Sequence, residues 1–160
     1  MNESVEAAKA EFSRAVSRIS RSLETTPDDR LHWAPGAGAR TPIHQVAHAA
    51  MSIKGMQDWF SGQPFPFDKI SDLDAWSRAK EKEFTSREQV MGLLEENSNA
   101  YLAWLDSLTP EQLASTLDMG FASFPMAMAI TFPADHTRAH ASQIDYIQTT
   151  YGDLDWHMAG

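Results

Sequence analysis

Four of the six histidines fall into two pairs with the same spacing, His44 with His48 and His136 with His140. Residues four apart on an α-helix share a face, so each pair can aim two imidazoles at one place. Imidazole is the commonest nitrogen ligand for divalent transition metals, and helical bundles hold such ions between facing helices. The chain has no cysteine, which excludes a disulfide, a thiolate nucleophile of its own and any zinc–cysteine site. A metal would therefore be held by His, Asp or Glu, and thiol chemistry would need a thiol brought by a substrate or cofactor. The alternative for such a cluster is a group of hydrogen-bonded core histidines without metal.

The surroundings of the pairs sharpen their placement. Phe132, His136, His140, Gln143, Ile147 and Tyr151 are spaced like a core-facing seam in which His136, His140 and Gln143 replace apolar residues for about two turns. Burying that polarity without partners would cost roughly several kcal/mol, so something should satisfy it. His44 falls about three residues into its helix, near the positive end of the dipole, which favours a neutral imidazole. By spacing it could be a fourth ligand; a place behind the ligands, contact with a substrate, or packing at the helix start are the other readings. Asn97 interrupts the stripe Val90, Leu94, Tyr101, Leu105 and Leu108, and either points into the same polar pocket or marks a solvent-facing helix edge. No Glu adjoins a histidine of either pair. Asp135, a candidate base by position, neighbours His136 and is expected to point away from it. His32 and His157 read as surface residues, and the five tryptophans as packing anchors.

The elements that must position these residues are helical. Val5, Ala8, Phe12, Ala15, Val16, Ile19 and Leu23 describe an amphipathic first helix. Thr41 and Pro42 form a start signal for a second, running to about Phe60 before Ser61-Gly62. Residues 62–70 read as an aromatic-rich connection, and 71–82 as a short helix. Ser86 with Gln89 makes a capping box for a third long helix, ending before Thr109-Pro110. The fourth is expected over about Pro125 to Tyr151, with Pro133 kinking it or marking a restart. No strand is convincing. The 160 residues suit one domain over 1–160, an all-α four-helix bundle with a short extra helix or loop between its second and third helices.

Charge narrows the partners. The formal net charge is −9, and it is unevenly placed: residues 1–87 hold 12 acidic and 12 basic side chains, whereas 88–160 hold 10 acidic and only Arg138 as a base. A nucleic-acid backbone or an anionic membrane would need clustered Lys and Arg, so neither is expected as a partner. A negative field in the half containing His136 and His140 would favour retaining a dication and oppose anionic substrates. The N-terminus lacks an apolar signal-peptide core, and the longest nearly apolar run, Phe121 to Ala134, is shorter than the ~20 residues of a membrane span. A soluble, cytoplasmic protein is expected.

Two segments resemble a known family. Leu31-His32-Trp33-Ala34-Pro35 followed by Thr41-Pro42-Ile43-His44-Gln45-Val46-Ala47-His48 is similar to the first motif of the DinB-like metal-dependent proteins, a Trp-containing loop leading into a helix with a ligand histidine. His136-Thr137-Arg138-Ala139-His140-Ala141-Ser142-Gln143-Ile144 resembles their second motif, His-x3-His-x2-Gln, and Tyr146 to Asp153 its usual continuation. The resemblance implies a four-helix bundle and a divalent ion, whether Zn, Ni, Fe or Mn, held by His48, His136 and His140, with His44 outside the ligand set. Ala141 and Ser142 stand where that motif commonly has a basic residue and Gly, and Pro133 lies one turn before His136; both bear on the shape of the substrate side. Characterised relatives include thiol-dependent S-transferases and isomerases, so the resemblance points to a small-molecule enzyme using a low-molecular-weight thiol; a homodimer is a separate expectation. A metal-dependent hydrolase that activates water, and a non-catalytic metal-binding or dimerising bundle, are the competing readings.

Overall fold

The computed structural model describes residues 3–120 and 122–158; Phe121, where the apolar run begins, lies outside them. Four long helices form the frame: α1 (Glu3–Glu24), α2 (Pro42–Phe60), α4 (Arg87–Asp106) and α7 (Phe132–Thr150). A shorter α3 (Ile70–Glu81) lies between the second and third of these. α1 packs mainly on α7, and α2 on both α4 and α7. The all-α bundle expected from the periodicity is therefore present, with the extra helix where the sequence places it.

Local chemistry explains the boundaries. Val5, Ala8, Phe12, Ala15, Ile19 and Leu23 of α1 are all buried and Val16 is partly so, the stripe that the spacing describes. Thr41 caps α2 by accepting the His44 backbone N–H at 3.3 Å, and Pro42 occupies a first-turn position whose N–H has no helical partner. After α2 the chain turns at Gly62, whose φ of +92° is costly for any residue with a Cβ. At α4 the capping box forms in full, Ser86 accepting from the Gln89 N–H while the Gln89 side chain accepts from the Ser86 N–H.

Between α4 and α7 the structure departs from expectation. Pro110–Leu113 forms a one-turn helix, α5, with its own capping box from Thr109 and Gln112. Thr116–Asp118 (β1) and Ser123–Pro125 (β2) then pair antiparallel, Leu117 opposite Phe124. Strands of three residues are too short to show an alternating pattern, which is why the sequence reads as a loop there. The single helix expected from Pro125 is two: α6 (Met126–Ala129) and α7, with Ile130 and Thr131 between them. Pro133 sits in the first turn of α7, so it marks a restart, not a kink. The buried Tyr101 hydroxyl donates to the Ile130 carbonyl at 2.7 Å and ties this junction to α4.

Asn97 is corrected in the same way. It neither enters a polar pocket nor faces solvent: it is 8% exposed, and its Nδ2 donates to the Ala50 carbonyl at 2.9 Å, linking α4 to α2. Among the described residues no helix is long and apolar enough to cross a membrane.

Candidate metal centre

His48 on α2 and His136 and His140 on α7 converge where these two helices face each other. One ring nitrogen from each lies within 4.8 Å of the others. The ring centroids are 5.1 Å apart for His48 and His136, 4.6 Å for His48 and His140, and 4.5 Å for His136 and His140. His140 is 8% exposed and the other two are partly buried. The spacing of each pair follows from the helix; the meeting of one pair with one member of the other follows from α2 packing on α7.

Two side chains fix the rings from behind. Glu81, at the last turn of α3, accepts from His48 Nδ1 at 2.8 Å and from the Arg40 Nε at 2.8 Å, and is only 2% exposed. Burial alone would raise the pKa of Glu81, but the bonds from His48 and Arg40 outweigh it and hold the carboxyl below its ordinary value. An ionised Glu81 can only accept, so His48 Nδ1 carries a proton and Nε2 is the nitrogen left for a ligand. Likewise the Oε1 of buried Gln45 accepts from His140 Nδ1 at 2.6 Å, leaving His140 Nε2 bare. His140 Nε2 and His136 Nε2 stand 3.2 Å apart, and the buried His136 Nδ1 has no partner. Convergent imidazole lone pairs repel one another unless a cation or proton lies among them, and this neutral nitrogen set suits a divalent ion.

The pKa directions agree with that chemistry. Burial, then the charge of neighbouring groups, pushes His136 down to about 4 and His140 to about 3. An unfolded histidine titrates near 6.5, so below that pH the unfolded chain takes up protons that the folded chain refuses. Stability of the metal-free protein is therefore expected to be full above pH 6.5 and to fall between about pH 6.5 and 4, by up to ~1.4 kcal/mol per pH unit for each histidine. The lowered Glu81 adds loss of the same sign below its ordinary range. Urea unfolding from pH 7.5 to 4.5 checks this, and an unchanged midpoint would contradict it.

The other candidate residues fall outside the cluster. His44 is partly buried, and burial lowers its pKa, but its ring is not among the three that converge. It lies near enough to feel Glu81 and Arg40. Gln143 is exposed on α7 and so does not belong to a buried seam, but its side chain interacts with the His140 ring, in keeping with a place beside the histidines. Asp135 is exposed and paired with Arg138 at 3.0 Å, pointing away as expected. His32 is exposed, with Nε2 3.1 Å from the Thr85 carbonyl oxygen. Sequence reasoning missed Glu81 and Gln45. Gln45 was discoverable, since it lies between His44 and His48 on a helix otherwise apolar there. Glu81 carries no local signal.

Beside the cluster a cavity of about 950 Å³ opens, with His48 and His136 in its wall and the rest drawn from α2, residues 63–67 and α3. Met51, Met56, Trp59, Phe67, Leu73 and Trp76 supply its apolar surface.

The sequence profile of the DinB superfamily matches residues 11–144, most of the chain. No curated protein matches it. Among solved structures it is similar to YfiT from Bacillus subtilis, described as a probable metal-dependent hydrolase with an unusual four-helix bundle topology. The TM-score is 0.74 at 17% identity, over 95% of this chain and 90% of that one. DfsB, described as a sibling lethal factor precursor, has a TM-score of 0.74 at 19% identity, over 96% of this chain and 100% of that one. The DinB-like protein YjoA, also from Bacillus subtilis, has a TM-score of 0.66 at 14% identity, over 95% and 97%. At such identities these likenesses bear on the fold. With the profile match, the bundle and the three-histidine cluster together, the chain belongs to the DinB superfamily.

Proposed function

We propose that this protein is a divalent-metal-dependent enzyme of the thiol-transferase type, with His48, His136 and His140 as the metal ligands. The observation that carries it is the convergence of three imidazoles, two of them held by Glu81 and Gln45 so that Nε2 faces the centre. A bound divalent ion supplies Lewis acidity that lowers the pKa of a thiol or of water. Two carboxylates that could serve are engaged: Glu81 by His48 and Arg40, and Asp135, next to His136 in sequence, by Arg138. Neither is free to take a proton from water, which hydrolysis ordinarily asks of a nearby base. A thiol, ordinarily titrating near ~8.5, needs only a modest shift to ionise at neutral pH without such a base. The thiol sulfur would form a bond to the electrophilic carbon as the leaving group departs, with the thiol proton released to solvent.

The likeness to YfiT favours a metal-dependent hydrolase as the second reading. One experiment separates them. The protein is loaded with Zn, Ni, Fe or Mn and its metal content measured. It is then assayed with a low-molecular-weight thiol and 1-chloro-2,4-dinitrobenzene, and separately with p-nitrophenyl acetate without thiol. The transferase reading expects about one ion per chain and metal-dependent chloride displacement by the thiol. Metal-dependent ester cleavage without thiol would favour the hydrolase. Metal-loaded protein inactive in both, across several thiols, would favour a non-catalytic bundle.

A further inference from the structure

The cavity beside the three histidines has a composition that selects among substrates. Three aromatic side chains line it, Trp59, Phe67 and Trp76: Phe67 stands 5.8 Å from Trp76 between ring centroids, and Phe65, which is not in the lining, joins Trp59 at 5.2 Å to Phe67 at 5.7 Å. Met51, Met56 and Leu73 fill the remaining apolar wall with flexible, polarizable surface. Among the described residues the one Lys or Arg in the lining is Lys54, and its Nζ lies 2.6 Å from both carboxylate oxygens of Asp58, itself a lining residue. This pair is half-exposed and neutral as a whole, so the wall offers an entering carboxylate, sulfonate or phosphate no free counter-charge.

The polar groups lie toward the histidines. Ser52 is one helical turn beyond His48 on α2, and Ser77 is one turn before Glu81 on α3. Both line the cavity, so two hydroxyls flank the His48–Glu81 pair while the aromatic side chains lie farther along. The arrangement is a polar end next to the candidate metal ligands and an apolar body away from them. The volume of about 950 Å³ is at the upper end of small-molecule sites.

We infer that this cavity binds the apolar, aromatic body of an uncharged substrate, with Trp59, Phe67 and Trp76 as its recognition surface and the reacting group directed at His48 and His136. Calling the ligand a substrate rests on the metal-enzyme reading above; the preference for a neutral aromatic body rests on the walls alone. Trp76 is 44% exposed, so its replacement removes recognition area without opening the core. The Lys54–Asp58 pair supplies a complementary variant: Asp58→Asn releases the lysine charge into the cavity without changing the size of the side chain.

The test uses two aromatic probes of similar shape and weak metal affinity, neutral 2-methoxynaphthalene and anionic 2-naphthalenesulfonate. Binding to the full chain is measured by calorimetry, with zinc and after chelation. After chelation the neutral probe is expected to bind about tenfold or more tighter, because the anion would lose water while the Lys54 charge is already paired with Asp58. Bound zinc offers an anion a counter-charge of its own, so the preference is read on the chelated protein. Trp76→Ala should weaken the neutral probe about fivefold with an unchanged thermal midpoint, and Asp58→Asn should strengthen the anion about threefold or more. Equal or tighter binding of the anion to the unaltered chain after chelation, no binding of either probe, or indifference of the neutral probe to Trp76→Ala would overturn the inference. Zinc affinity is titrated separately, so loss of the metal reading with the probe preference intact is distinguishable from the reverse.

Discussion

Replacing His140 with alanine is expected to abolish useful metal binding, a larger loss than the roughly 10–100-fold that removal of an outer hydrogen-bond partner costs. Three nitrogens converge, and His140 is the most buried of the three donors, with Nδ1 committed to Gln45 at 2.6 Å and Nε2 facing His136 at 3.2 Å. Removing it leaves two converging imidazoles and strands the buried Gln45 amide. His44→Ala serves as the contrast, because that ring lies outside the converging set. It should retain most of the affinity. Competition against a chromophoric chelator measures both variants. A His140→Ala protein that keeps its metal while His44→Ala loses it would overturn the ligand assignment.

Glu81→Ala is expected to have the largest effect on stability. The carboxylate is 2% exposed and is shared by His48 and Arg40, and the Arg40 side chain is itself only 12% exposed. Deleting one member of a buried ionic pair leaves the other charge uncompensated, which typically costs about 3–5 kcal/mol. Arg40 keeps Asp74 at 3.1 Å, and this more exposed partner places the expectation at the lower end, about 3 kcal/mol. The same change removes the acceptor that holds His48 Nδ1–H, so metal affinity should also fall roughly 10–100-fold. Glu81→Gln separates the two effects. Its amide oxygen can still accept from His48, so affinity should be largely kept, while the ionic pairing with Arg40 is lost. Urea unfolding reads the stability of each variant, and chelator competition reads the affinity. Unchanged metal affinity in Glu81→Ala would mean that packing alone orients His48.

How much of this was legible beforehand follows from the range over which each interaction acts. The start of α2 at Thr41-Pro42 and the capping box at Ser86 and Gln89 are visible because caps are made by residues within a few positions of each other. The hairpin before α6 was not, because its strands are shorter than the window in which alternation can be recognised. Asn97 shows the same limit inside a correctly expected helix. A polar residue in an apolar stripe announces that it needs a partner, but not that the partner is the Ala50 carbonyl on another helix.

The sequence by itself determined that His44 and His48 share one helical face and His136 and His140 another, since a four-residue step on a helix fixes that locally. It also determined, through the lack of cysteine, that any metal here has His, Asp or Glu ligands. Only the tertiary structure decided which histidines meet. The packing of α2 on α7 brings His48 to His136 and His140 and leaves His44 a turn away, a choice made by helix crossing and invisible to spacing. It likewise brought Glu81 to His48 across 33 positions, and set Trp59, Phe67 and Trp76 in the wall of the cavity that His48 and His136 share. The net charge of 88–160 lies with two of the three histidines, whereas the cavity is walled almost entirely by the charge-balanced half. Long-range contacts depend on how whole faces pack, and no short stretch of sequence records that.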